Sequence, residues 1–379
     1  MVHVDRRRRP VDLTTAADGP DRRAGPYAGH VATLYDLDRD ALGTLLEDQP
    51  TYRVDQVWKG LHERFATVDE LSNVPKAVRA RLTAEAPMAL TAVTESRSDD
   101  GETSKWLWAL ADGAAIETVL MHYPDRTTVC VSTQAGCAMA CGFCATGQAG
   151  FERQLTVGEI VEQVVSAARA SAPSRVSNIV FMGMGEPMAN YDNVWGAVER
   201  LHGDIGISAR HLTISTVGII PGIRRLATED LPVNLAVSLH AADDTLRDEL
   251  VPVNRRYPLA ALADACRHYL DAKGRRLSFE WAMIDGVNDR AVDARNLAAY
   301  ARPLGAHVNL IPLNPTPGYP TVGTSASGVR AFADRLVELG VNATVRRNRG
   351  TDIDAACGQL RAEHEVAVKV APRRRAAPH

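Results

Sequence analysis

The stretch Cys137-Ala-Met-Ala-Cys141-Gly-Phe-Cys144 puts three thiols within eight residues, at C-x₃-C-x₂-C spacing. As thiolates, three such groups can grip one metal centre together. Structural zinc sites and ordinary four-iron clusters take four protein ligands. A set of three leaves one metal corner open, and an open corner is where a small molecule can bind and react. Two plainer readings stand beside this one: a zinc site completed by a distant His or Cys, and three buried small hydrophobes.

The remainder of the chain bounds the choice. With 379 residues there is room for two or three units at roughly 150 residues each. Hydrophobic residues make up 45% and charged residues 23%, the profile of a soluble globular protein. No run approaches the roughly 18 apolar residues of a membrane span. Arg6 to Arg9 are not followed by an apolar segment, which speaks against a secretory signal. The expected location is cytoplasmic, where thiols stay reduced. The six cysteines (130, 137, 141, 144, 266 and 357) then read as metal ligands or catalytic thiols rather than a disulfide framework, with Cys266 as core.

A net charge of −3 offers no global attraction to nucleic acid. The basic residues are nevertheless biased: 5 are lysines (59, 76, 105, 273 and 369), so 43 − 5 = 38 are arginines. Arginine suits phosphates and base stacking, and a GC-rich genome produces the same bias. Local runs such as Arg346-Arg347 with Arg349 are more pointed, because a near-neutral protein can still present one basic face.

These thiols need elements to hold them. Residues 1–28 lack periodicity and predict a disordered tail, and 362–379 a basic tail. Residues 29–91 predict a helical accessory, RNA-binding domain: Val54, Val57, Trp58 and Leu61 follow helical spacing, and Pro75 opens a further helix. Residues 92–122 predict a β linker, with strands over 105–111 and 115–121 split by Asp112-Gly113. From 123 to 361 strands and helices alternate. Strands are expected at 127–132, 178–182, 211–215, 233–239, 277–284 and 307–313, which predicts a parallel α/β sheet. Six units are too few for a closed eight-fold barrel, so the fold class is α/β with a partial, open, TIM-like (β/α)6 barrel.

Sites in such barrels gather at the carboxyl ends of the strands. The three-cysteine loop follows the first strand. Gly183-Met184-Gly185-Glu186-Pro187 follows the second, Ser215 the third, Ser238-Leu239-His240 the fourth and Asn314 the sixth. Each taken alone reads equally as a strand-end hydrogen-bonder or turn former; together they converge on one rim.

The Cys-x₃-Cys-x-Phe-Cys run resembles the signature of radical S-adenosylmethionine (SAM) enzymes. That resemblance implies a [4Fe–4S] cluster on Cys137, Cys141 and Cys144. It implies SAM on the open iron, with Gly185, Glu186, Ser215, Ser238, Leu239, His240 and Asn314 as cofactor contacts. Four longer pieces are similar to the RlmN/Cfr family of radical SAM RNA adenine methyltransferases: Glu117-Thr118-Val119, the run Cys130 to Cys137, the run Phe181 to Pro187, and Asp352-Ile353-Asp354-Ala355-Ala356-Cys357-Gly358-Gln359-Leu360. The wording is nearer the RlmN branch, which methylates C2 of an adenosine in 23S rRNA and some tRNAs, than the C8-methylating Cfr branch.

The family resemblance implies roles. Cys357 takes a methyl from one SAM, a second SAM furnishes the radical that activates it, and the RNA becomes tethered through a thioether. Glu117 accepts the C2 proton. Cys130 resolves the tether, leaving a transient Cys130–Cys357 disulfide to be reduced. Implied partners are 23S rRNA, tRNA and a flavodoxin-type electron donor, with no membrane and a monomeric chain. From the residues alone, Cys130 reads equally as core and Glu117 as a solvent-facing strand residue. A Cfr-like C8 methylase and a non-catalytic metal-stabilised RNA-binding protein remain the rival functions.

Overall fold

A computed structural model describes residues 32–314, 316, 322–347, 349–355 and 359–360. The predicted tails and Cys357 lie outside the described residues. Three helices come first: Arg39–Leu45 (α1), Tyr52–His62 (α2) and Lys76–Glu85 (α3). The Asp38 carboxylate caps α1 by accepting from Ala41 N at 2.7 Å. Pro75, which has no N–H to leave unsatisfied, precedes α3 as expected.

An antiparallel meander follows, Thr91–Arg97 (β1), Thr103–Ala109 (β2) and Ala115–His122 (β3). The alternating part then runs Thr127–Cys130 (β4), Gln134–Gly136 (β5), Ala145–Ala149 (α4), Phe151–Gln154 (β6), Val157–Ala170 (α5) and Asn178–Phe181 (β7). It continues through Tyr191–Gly203 (α6), Leu212–Thr216 (β8), Ile220–Thr228 (α7), Asn234–Ser238 (β9), Asp244–Leu250 (α8) and Leu259–Lys273 (α9). Leu277–Met283 (β10), Ala291–Ala301 (α10), His307–Pro312 (β11), Ala326–Glu338 (α11) and Ala343–Val345 (β12) complete it.

One sheet has the order β1-β2-β3-β4-β7-β8-β9-β10-β11-β12, and β5 pairs only with β6. From β4 to β12 every pairing is parallel, whereas β1 to β4 are antiparallel. The order ends at β1 and at β12, so the barrel stays open. The six expected strands are all present. Residues 92–122, expected as a linker, hydrogen-bond into the main sheet.

Four strands escaped the sequence reading: the short β5–β6 pair and, in the main sheet, β1 and β12, the last two for physical reasons. β1 is exposed on both faces, so it has no alternation to read. β12 is three residues long and largely exposed at an edge. The interior strands are legible because most of their residues are buried, which makes their sequences nearly continuous apolar runs.

The described residues from Thr33 onward belong to one compact unit. Buried polar bonds fasten the helical module to the barrel. The Glu162 carboxylate on α5 accepts from Ala89 N (2.7 Å) and Leu90 N (3.0 Å). Arg200 on α6 donates to the Tyr35 and Asp36 carbonyls. Trp58 and His62, stacked with ring centroids 4.1 Å apart, are buried at this junction and not presented to solvent. Arg81 is paired with Asp48, so among the module's charged residues Lys59 and Lys76 are the freer candidates for phosphate contact.

Candidate active site

β4 ends at Cys130, and the chain turns at once into β5. The β5–β6 pair brackets the three-cysteine loop. Cys137 N donates to Gly150 O at 2.7 Å, Cys144 N donates to Cys141 O at 3.1 Å, and α4 starts directly after Cys144. The loop is therefore fixed at both ends before any ligand arrives.

Across from it lies the loop after β7. Gly185 has φ +99°, and a Cβ there would sit 2.5 Å from the Gln134 side chain. A Cβ on Gly183 would come within 2.7 Å of the Val131 carbonyl. Both glycines are needed so that the β7 loop can press against the backbone leaving β4. Ser132 completes the joint: its hydroxyl donates to Glu117 O (2.6 Å) and accepts from Met184 N (3.0 Å).

Glu186 is buried, with its carboxylate accepting from Met188 N (3.0 Å) and Val217 N (2.8 Å). Burial outweighs those bonds and pushes its carboxyl up to about 7. Its own N–H donates to Gln134 Oε1 at 2.7 Å. His240, with φ +59°, accepts from Ala282 N at Nδ1, 3.0 Å away. That bond leaves the ring proton on Nε2, and burial pushes the imidazole down to about 3, so the ring is neutral. Phe143, the aromatic between Cys141 and Cys144, meets His240 edge-on at 4.7 Å.

These residues line a cavity that is partly open to solvent. Cys137, Cys141, Cys144, Gly185, Glu186, Ser215, Ser238, His240 and Asn314 all line it. Leu239 does not; it is wholly buried behind the wall, and its carbonyl accepts from Arg247 Nε at 3.0 Å. Glu280 and Arg346 line the cavity too and were not anticipated, because a charged residue inside a strand or edge looks in sequence like a surface one.

The thiols suit a cluster. They line one cavity, and three thiols are one short of the four ligands a structural zinc takes. A lone zinc needs its sulfurs about 2.3 Å from one point, whereas a cubane spreads its irons over separate corners. Burial pushes the Cys137 thiol up to about 12 and the Cys141 thiol well above its usual range. Their thiolates therefore need a cationic partner, which iron supplies. SAM would lie among Gly185, Glu186, Ser215, Ser238, His240 and Asn314.

A second, smaller cavity adjoins the first and shares Met182, Arg346 and Leu360 with it. Its wall includes Cys130, Val119, Met121, Tyr123, Arg347, Arg349, Ala355 and Leu360. Cys130 stands opposite Val119 in the β3–β4 ladder, and Glu117 lies two residues before Val119 on the same face of β3. Glu117 is buried, with Oε1 3.1 Å from Lys105 Nζ, and Lys105 also donates to Asp354 O at 3.3 Å. Thr146 on α4 donates to Leu360 O at 2.6 Å. Cys266 is buried in α9, as expected of a core residue.

A radical SAM superfamily profile matches residues 131–298. The chain is 50% identical to a probable dual-specificity RNA methyltransferase RlmN from Frankia alni, over 94% of this chain and 87% of that protein. It is 49% identical to the dual-specificity RNA methyltransferase RlmN 1 of Myxococcus xanthus, over 88% of this chain and 95% of that one. The crystal structure of a radical SAM methyltransferase from Sphaerobacter thermophilus superposes with a TM-score of 0.85 at 50% identity, covering 88% of this chain and all of that one. A [4Fe–4S] cluster and SAM are thus the cofactors of the chain, and no helix among the described residues is long and apolar enough to cross a membrane. The chain belongs to the RlmN family of radical SAM RNA methyltransferases.

Proposed function

We propose that the chain methylates C2 of an adenosine in 23S rRNA and in certain tRNAs, through a methylated cysteine and a covalent RNA–protein adduct. One observation carries this reading most directly: Cys130 lines a cavity that adjoins that of the three cysteines and shares Met182, Arg346 and Leu360 with it. Ala355 and Leu360, which flank residues 356–358 in sequence, lie on the same wall. Cys357 lies between them in sequence, outside the described residues.

Adenine C2 sits in an amidine and is electrophilic, so it cannot displace the methyl of a sulfonium. The carbon must arrive as a radical. Cluster and SAM, on the residues assigned above, supply the radical-generating chemistry when bound. Cys357 carries the methyl carbon and, once that carbon has lost a hydrogen atom, presents it to C2. Glu117, on the same face of the sheet as Cys130, takes the C2 proton from the adduct as the adduct gives up one electron, which the oxidised cluster would take back. The Cys130 thiolate then attacks Cys357 sulfur. The carbon–sulfur bond breaks, the released base is protonated to its methyl form, and a Cys130–Cys357 disulfide remains for an external reductant. Neutral His240 and buried Glu186 add no exposed charge of their own to the SAM wall.

Tyr123, Arg346, Arg347 and Arg349 line the second cavity and, among the described residues, no acidic side chain does; Arg349 is itself paired with Glu102, which leaves Arg346 and Arg347 as the cations of the rim. Such a rim favours a phosphodiester strand whose target base is turned inward. The cytoplasm, an electron donor of flavodoxin type and a monomeric state fit this role. Mass spectrometry of RNA after anaerobic turnover tests the proposal. It requires 2-methyladenosine; 8-methyladenosine, or no methylated adenine from cluster-loaded enzyme, would refute it.

A further inference from the structure

Arg247, on α8, is fully buried. Every polar partner given to its guanidinium is neutral. Nε donates to Leu239 O (3.0 Å), one terminal nitrogen to Asn254 Oδ1 (2.8 Å), and the other to Val217 O (2.6 Å) and Ser238 O (3.3 Å). Among the described residues it forms no ion pair. Two carboxylates stand beyond Asn254, whose amide donates to Asp244 Oδ1 and Asp248 Oδ1; Asp244 also acts on Arg247 through space, but it is exposed and its charge therefore screened.

An interior guanidinium stays protonated and is expensive to bury without a counter-charge. Among the described residues no carboxylate pairs with it directly, so the question is what else lies near. Leu246, Leu250, Val251 and Val253 pack in one apolar cluster with Met139, Cys141 and Phe143, which sets α8 directly over the cysteine loop. The three carbonyls Arg247 grips belong to the loop after β8 and to the end of β9, beside Ser238 and His240 of the SAM wall.

We propose that Arg247 is a positioning residue that supplies the buried positive charge against which the three-cysteine cluster is reduced, while its fork fixes the Val217, Ser238 and Leu239 carbonyls behind the SAM wall. A cubane on three thiolates is already anionic, and each reduction adds one further negative charge. A fixed cation in a dry interior stabilises that added charge more than solvent could. The inference rests on the family's cofactors and not on which adenine carbon is methylated, so the two can fail separately.

The full-length chain, reconstituted anaerobically without RNA or SAM, tests it in three forms: wild type, Arg247→Lys and Arg247→Gln. The readout is a redox titration followed by electron paramagnetic resonance, alongside chemical denaturation. Both variants lose folding stability, since neither reproduces the four-acceptor fork. The potential should follow charge alone. Lys should titrate with wild type, and Gln should show a reduced-to-oxidised ratio about tenfold lower at fixed potential, equal to about 59 mV for a one-electron couple. A Gln variant that loads no cluster while Lys loads it supports the same conclusion. A Gln variant matching the wild-type potential would overturn it. So would equal shifts in both variants, or failure of both to load, because hydrogen-bond geometry would then be the sole requirement.

Discussion

Lys105 Nζ lies 3.1 Å from Glu117 Oε1, with both side chains largely buried, and the same ammonium reaches the Asp354 carbonyl. One cation thus ties the proposed proton acceptor to the segment leading to Cys357. Removing a single partner from a buried ion pair costs about 3–5 kcal/mol, because the other charge is stranded. Lys105→Met should therefore lower the denaturation midpoint strongly. Adding Glu117→Leu should recover most of that loss without restoring methylated product. A double variant that methylates RNA would remove Glu117 from the reaction.

The β7 loop makes a second prediction. Gly185→Ala forces a side chain into a left-handed backbone position and against Gln134. Equilibrium binding to cluster-loaded protein should show SAM affinity reduced at least about tenfold, since backbone strain of 1–3 kcal/mol is comparable to that factor. Iron content should hold, because the cysteine loop is pinned separately by Gly150. Wild-type SAM affinity in this variant would show that the loop tolerates the added carbon.

Stability should fall as pH rises through the acidic range. Burial pushes the Glu162 carboxyl from 4.5 up to about 7, despite its two main-chain donors. Between those values the folded chain holds a proton that the unfolded chain has lost. The contribution is fully present below pH 4.5 and gone as pH climbs past 7. Its size is about 3 kcal/mol at 1.36 kcal/mol per unit. Glu186 has the same sign. Denaturant titrations at several pH values should show Glu162→Gln with a visibly flatter decline than wild type; an unchanged slope would contradict this account of the junction between helical module and barrel.

RNA contact is testable through salt. Arg347 is exposed at the rim of the Cys130 cavity. Arg347→Ala should weaken binding of target and scrambled RNA about equally and reduce the slope of log K against log salt by about 1. SAM binding should not change. An unaltered salt slope would place the phosphate track elsewhere.

The barrel was legible in sequence because its strands are buried on both faces and its strand ends are marked by Ser215, Ser238, His240 and Asn314. Buried charge was not legible. Lys105, Arg247 and Glu280 lie inside the fold, yet nothing in their sequence context separates them from solvated residues. Cys130 shows the same limit from the other side. Its strand position reads as plain core, and only the resemblance to a family marked it; the cavity it lines with Ala355 and Leu360 gives that expectation a physical setting.

The most direct measurement follows the proposed tether itself. Cluster-loaded Cys130→Ala, turned over anaerobically with SAM, reductant and labelled RNA, is run on a denaturing gel beside Cys130→Ala/Cys357→Ala. The account predicts a covalent RNA–protein band with the single variant, little free methylated RNA, and neither species with the double variant. Release of methylated adenosine from Cys130→Ala at the wild-type yield, with no adduct, would contradict it.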